Sequence, residues 1–308
     1  MKSILELAET TTGTTGIDKI TPEVWSKEVE QQAQALRVAR QFVKVNTDLM
    51  NRPGDRVHVL KGVKLTVADD VQSGLTEGDL ITPTALDDYN SVILTPAPYY
   101  AAVRISEDVI EEVSPDIIKD ANQQIAEVLA QKEDQLILEA LGNASGIAVL
   151  YGGDATSDAT LEAGDVLTTD LIANAITELR KNNYNADVLF IHPIQENVLL
   201  KDSQFVNASE YGSNEVVMNG EIGKYLGVKI ISTTNVVAKT TADGWGADGH
   251  ICLMIDSKHA GVLAVKQPIT IRSVFQVERN AHLIVGRIKI AADALMPEAI
   301  CAIHVTDA

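Results

Sequence analysis

The chain has 308 residues, 45% of them apolar and only 4% aromatic. That suffices for a sizeable core packed mostly by Val, Ile, Leu and Ala, in one large domain or two. A net charge of −18 argues against a protein that grips nucleic acid by neutralising phosphates, because such affinity needs clustered Lys and Arg.

Residues 1–20 are rich in Thr and Gly and read as a flexible arm, and their start, MKSILELAETTTG, lacks a signal-peptide pattern. Thr21, Pro22 and Glu23 then read as an N-cap, a first-turn proline and a first-turn acid. Trp25, Val29, Ala33, Leu36 and Val43 recur at helical spacing, which predicts a helix over 22–44.

The period changes after residue 46. In DRVHVLKGVKLTV, Val57, Val59, Val63, Leu65 and Val67 alternate with polar residues. A second alternating run holds Val92, Leu94, Tyr99, Ala101, Val103 and Ile105. Between them lies the polar stretch ADDVQSGLTEGDLITPTALDD, so the whole reads as a long β-hairpin that leaves the body of the protein. Arg52, Arg56, Lys61 and Lys64 mark its outgoing side. Asp69, Asp70, Glu77, Asp79, Asp87 and Asp88 mark its tip and return. The acidic pairs read as a solvated tip rather than a cation site.

Ser114, Pro115 and Asp116 start the clearest helix, and Gly142 stops it. Ile118, Ala121, Ile125, Val128, Leu129, Leu136 and Ala140 trace its apolar stripe. Such a helix is about 40 Å long and spans the molecule. The Gly/Ser/Asp/Thr-rich stretch 142–165 reads as a connection and a domain boundary. Beyond it the pattern is α/β. Thr169 caps a helix carrying Leu171, Ala175, Ile176 and Leu179. ADVLFIHP is a buried strand, a short helix runs from Ile194 to Leu200, and VKIIST and HICLMID are further strands. The polar loop KTTADGWGADG places Trp245 near its tip. From Pro268 onward ITIRSVFQV, HLIVGRIKIAA and AICAIHV are strands.

Chemistry is sparse. In GEIGKYLGVKIISTTNV the glycine spacing is wrong for a phosphate loop, Tyr225 stands where a magnesium-binding hydroxyl is needed, and a strand follows instead of a helix. The segment reads as a turn feeding a strand. Cys252 and Cys301 sit in apolar runs without a CxxC and read as reduced, buried thiols. His192, beside Pro193, reads as a structural histidine. No catalytic motif, metal-ligand spacing or cofactor loop stands out. No apolar run reaches the length of a membrane span.

The order of these elements is more specific than any one of them. With AAVRISEDVIEE before the long helix, LGNASGIAV at its exit, DVLFIHPIQENVLL, GEIGKYLGVKIISTTNV and RSVFQVERNAHLIVGRIKIAADALMPEAICAI, it resembles the tailed-bacteriophage major capsid proteins of the Hong Kong 97-type fold. The resemblance covers about residues 40–308.

It implies an α+β chain with an N-arm (1–45), an extended loop (46–105), and a peripheral domain with a spine helix (106–164). An axial domain (165–265) and returning peripheral strands (266–308) follow. It implies a shell subunit, not an enzyme, without cofactor, that assembles with copies of itself into hexamers and pentamers around packaged DNA bound without sequence specificity.

Arg52, Arg56, Lys61, Lys64, Asp69, Asp70, Asp87, Asp88 and Trp245 become subunit-interface candidates. The polar face of the spine helix (Asp120, Gln124, Glu127, Gln131, Glu139) is expected to look inward. The arm is too short for the scaffolding segment some members carry, which implies a separate scaffold or none. Portal and decoration proteins are further partners, and the place of work is the virion, assembled in the host cytoplasm. Lys61, Lys64 and Asn280 are chemically available for the covalent crosslink some members form. Two other readings stay open: an encapsulin-like compartment of the same fold, and an α/β enzyme with the hairpin as a lid.

Overall fold

The computed structural model describes residues 38–50, 52–61, 80, 91–112, 117–202 and 224–307. A 3-10 turn, Ala39–Phe42, leads into β1 (Lys44–Asn46). β2 (Val57–Leu60) and β3 (Ser91–Leu94) pair antiparallel, with Val57 opposite Leu94. β4 (Ala97–Ser106) runs into the short helix α1 (Glu107–Glu112), and the long helix α2 spans Ile117–Gly142. β5 (Ala148–Tyr151), α3 (Thr169–Lys181), β6 (Val188–Ile191) and α4 (Pro193–Lys201) follow. The remaining strands are β7 (Lys224–Tyr225), β8 (Val228–Ser232), β9 (Ala238–Lys239), β10 (Gly249–Ile255), β11 (Gly261–Gln276), β12 (Ala281–Ala294) and β13 (Ile300–Thr306).

Two sheets organise the molecule. The first has the order β1-β11-β12-β4. Helix α2 covers one of its faces, with Ile125 and Leu129 packed among Ile271, Ile284 and Ile288. Gly286 permits this approach: a Cβ there would stand 2.3 Å from Ile125 Cγ2. The second sheet has the order β5-β13-β10-β6-β8-β7, with β9 on β10. β6, β10 and β13 are buried along their whole length, which is why their sequences are continuous apolar runs. Leu189, Ile191, Cys252, Met254, Cys301 and Ile303 face helix α3 through Ile172, Ala175, Ile176 and Leu179. Phe190, Ile251, Leu253 and Ala302 face the opposite way, where the C-terminal half of α2 brings Ile137, Leu138 and Leu141. The 26-residue α2 therefore bridges both sheets, at about 1.5 Å of rise per residue.

Several expectations are corrected. Residues 38–44 of the predicted helix form the 3-10 turn and the start of β1; the rest of that segment lies outside the described residues, as does the predicted start of α2 at Ser114. The reason is a buried carboxylate on α2. Asp134 accepts hydrogen bonds from the Val38 and Ala39 amides at 3.0 and 3.2 Å, diverting donors that a continuing helix would use. Arg40 adds an ion pair to buried Glu133 at 2.8 Å. Val128 was counted in the apolar stripe but is exposed, on the side of α2 that also carries Gln124 and Gln131. Thr168, not Thr169, caps α3, its hydroxyl accepting from the Leu171 amide.

The stretch 142–165 is more than a connection. It contains β5, which pairs parallel with β13. β13 in turn belongs to the second sheet, antiparallel to β10, rather than to the sheet of β11 and β12. Finally, the run through Tyr99, Ala101, Val103 and Ile105 does not return along the hairpin. It forms β4, paired residue by residue with β12.

Candidate assembly interface

The hairpin is tied down at its base. Val57, Val59, Val92 and Leu94 pack on Val262, Ala264 and Leu295. These lie on the face of the first sheet opposite α2, since their neighbours Leu263 and Val265 belong to the core under α2. The other side of the ladder is open: Leu60 and Ile93 are exposed. Alternation within β2 thus divides the strand between the chain's own body and the outside.

Beyond the hairpin base the same sheet face is partly exposed, and no described element packs across it. Register places Thr270, Arg287 and Tyr100 in one row, Arg272, Val285 and Ala102 in the next, and Val274, Leu283 and Arg104 in a third. The ladder between β11 and β12 shifts on both sides of Gln267, next to Pro268, which has no amide hydrogen to donate. There a cleft of about 500 Å³ opens, lined by Met50, Arg52, Lys266, Gln267, Arg287 and Lys289 among others. The Lys266 ammonium donates to the Gly54 carbonyl. The Arg287 guanidinium lies 5.5 Å from the Tyr100 ring centre, and its Nε is buried without a hydrogen bond.

The interface candidates fall into different settings. Arg52 is exposed and joins the cations of the cleft instead of standing apart along the hairpin. Arg56 is exposed beside Asp55, 3.8 Å away, and Lys61 is half-buried at the end of β2. Lys64, Asp69, Asp70, Asp87 and Asp88 lie outside the described residues. Trp245 is only 5% exposed, and its indole stacks on His304 at 5.0 Å. An aromatic of that size in a polar loop is held by burial, and here it closes the core of its own subunit. Lysines 266 and 289 and arginines 104, 272 and 287, which share this face or its cleft, were not singled out in the sequence. The available signal was negative: β4, β11 and β12 as far as Lys289 contain no Asp or Glu in a strongly acidic chain.

Three histidines are held by packing and hydrogen bonds within the subunit. His304 hydrogen-bonds Asp158 through Nδ1 at 2.5 Å, between Trp245 and the edge of Tyr151. Burial lowers its pKa despite Asp158. His192 caps α4, accepting from the Ile194 amide, and stacks on His250 at 3.9 Å. Burial, then the neighbouring His250, lowers its pKa. Both cysteines are buried, and desolvation pushes each thiol up to about 12, so neither is a nucleophile at neutral pH. Among the described residues no group of three His, Cys, Asp or Glu side chains is placed to hold a metal. Asn280 stands exposed at the β11–β12 turn with φ 43°.

A molecule of two sheets bridged by one long helix, with a paired hairpin base packed on the first sheet, has the Hong Kong 97-type fold. A profile of phage capsid proteins matches residues 89–303, and the chain belongs to that family. No curated protein sequence matches. The chain is similar to a solved structure from Mycobacterium phage Che8 at 21% identity and TM-score 0.61, over 83% of this chain and 89% of that one. It is similar to the capsid of the cyanophage P-SCSP1u at 16% identity and TM-score 0.64, over 88% and 89%. It is also similar to a virus-like particle from Pyrococcus furiosus at 15% identity and TM-score 0.58, over 92% and 99%. The chain is thus a structural shell protein of the virion rather than an enzyme, and it works in copies of itself.

Proposed function

We propose that this chain is the major capsid protein of a tailed double-stranded DNA bacteriophage, building hexamers and pentamers of an icosahedral head around the genome. The observation that carries this reading is the hairpin. It is rooted on its own subunit at residues 57–60 and 91–94, while thirty residues, 61–90, separate the strand ends. An arm of that length, fixed at its root, suits a heterologous contact, and repeated heterologous contacts with closing rotation make rings. In this reading residues 1–45 are the N-arm, 46–105 the extended loop, and 165–265 the axial region around the capsomer centres. Arg56, Lys61 and Lys64 then meet acidic surface on an adjacent copy.

The acidic balance suits a wall that DNA must slide past. Asp120, Gln124, Gln131 and Glu139 are exposed on α2 and would form part of the inner surface, where the two carboxylates repel phosphates. Assembly takes place in the host cytoplasm, with scaffold, portal and decoration proteins as further partners. Electron microscopy of the expressed chain tests the reading. Closed particles built of five- and six-membered rings are expected, and a monodisperse monomer at high concentration would overturn it. Particles filled with a cargo protein instead of DNA would favour the encapsulin-like alternative.

A further inference from the structure

Four cations share one cleft. The loop between β1 and β2 meets the irregular part of the β11–β12 ladder, where the Lys266 ammonium donates to the Gly54 carbonyl. The cleft of about 500 Å³ at this junction is lined by Arg52 from the loop, Lys266 from β11, and Arg287 and Lys289 from β12. No carboxylate lines it. Among the described residues none of the four cations forms an ion pair. Like charges around one cleft repel, so in a chain of net charge −18 the arrangement is costly unless an anion binds there.

The wall of the cleft is held in place by its own bonds. The Gln267 amide donates to the Thr270 hydroxyl at 3.3 Å, and that hydroxyl donates to the Pro268 carbonyl at 3.1 Å. Lys266, fixed on Gly54, keeps two of its three ammonium donors. Arg287 is braced against Tyr100, 5.5 Å from the ring centre, and its Nε–H is buried without an acceptor among the described residues. A buried N–H without an acceptor is costly. On a guanidinium it is also half of the fork that grips two oxygens of one oxyanion.

The donors select the ligand. A carboxylate brings one charge and satisfies one fork. A phosphate chain brings several charges in a row, and its oxygens accept from guanidinium and ammonium groups alike. The cleft is larger than a single phosphate, so a short run of linked phosphates fits it. We propose that this cleft binds a short phosphate chain, whether inorganic or the triphosphate of a nucleotide. Arg287 grips one phosphate, and Arg52, Lys266 and Lys289 neutralise the others. The site goes beyond the shell reading and requires only the folded subunit.

The test is calorimetric titration of the full-length chain with sodium tripolyphosphate at about 0.15 M salt, where loose attraction is screened. Saturable binding of one tripolyphosphate per chain is expected, with a melting temperature that rises with ligand concentration. No saturable binding, or equal binding of polyglutamate of matched charge, would overturn the proposal. Arg287→Gln with Lys289→Gln should weaken binding about a hundredfold. Arg287→Lys keeps the charge but loses the fork, and should weaken it about tenfold even if the double variant fails to fold. Folded variants that bind as the original does would overturn the site. ATP separates the sources: affinity equal to that of tripolyphosphate assigns the nucleotide's phosphates, and weaker affinity assigns the inorganic chain. A DNA oligonucleotide that binds more tightly than either would make the phosphodiester backbone the ligand and overturn the proposal. A chain that forms no particles yet binds tripolyphosphate would sink the shell reading alone.

Discussion

The two sheets solve the same burial problem differently. In the second sheet β6, β10 and β13 are buried on both faces, against α3 on one side and α2 on the other. In the first sheet α2 covers one face, while among the described residues the other is roofed where the hairpin root sits. The second sheet is complete within one chain. The first carries exposed Tyr100, a cleft, and cations without a carboxylate partner among the described residues, on an antiparallel face that is otherwise solvated. Stability and assembly should therefore respond to different residues.

The largest effect on the isolated subunit should come from the closed sheet. Leu253 is fully buried in β10, and Leu253→Ala should cost about 2–5 kcal/mol by lost burial plus cavity, read by denaturant unfolding of the monomer. A change much below 1 kcal/mol would break the contrast. Next comes the anchor between the arm and α2. Asp134→Ala leaves the Val38 and Ala39 amides without their acceptor and should cost about 1–3 kcal/mol. It should also raise hydrogen exchange at those two amides, which a purely global loss of stability would not single out.

A smaller effect is pH-dependent. His304 and His192 have folded pKa values below the ordinary 6.5, so the folded state binds fewer protons than the unfolded one. Their contribution is complete above pH 6.5 and is lost as pH falls through the lowered values. The melting temperature should drop on acidification below pH 6.5, and His304→Gln should flatten part of that drop. A melting curve that rises on acidification in that range would contradict the structural role of the pair His304 and Asp158.

The sequence was most legible where one element buries its residues locally. The apolar runs at 188–191 and 250–255 are strands because both faces are covered, and the period in α3 reads directly. It was least legible where partners are distant. β5 hides in a glycine-rich stretch because its partner β13 lies about 150 residues away, and β13 joins the second sheet for the same reason. Alternation in 99–105 identified a strand but not its neighbour, since period alone does not distinguish a hairpin return from a ladder with β12. The burial of Trp245 was not legible, because the polar loop around it conceals a single buried anchor. The cationic row on the first sheet was not legible, because its members come from three separate strands and meet only in register.

The central claim is that the closed core makes the subunit and the projecting hairpin makes the shell. Deleting residues 70–88 and following the product by electron microscopy and thermal melting separates the two. The account predicts a folded, soluble subunit with an unchanged melting temperature and no closed particles. Normal particles from the shortened chain, or a subunit that no longer folds, would contradict it.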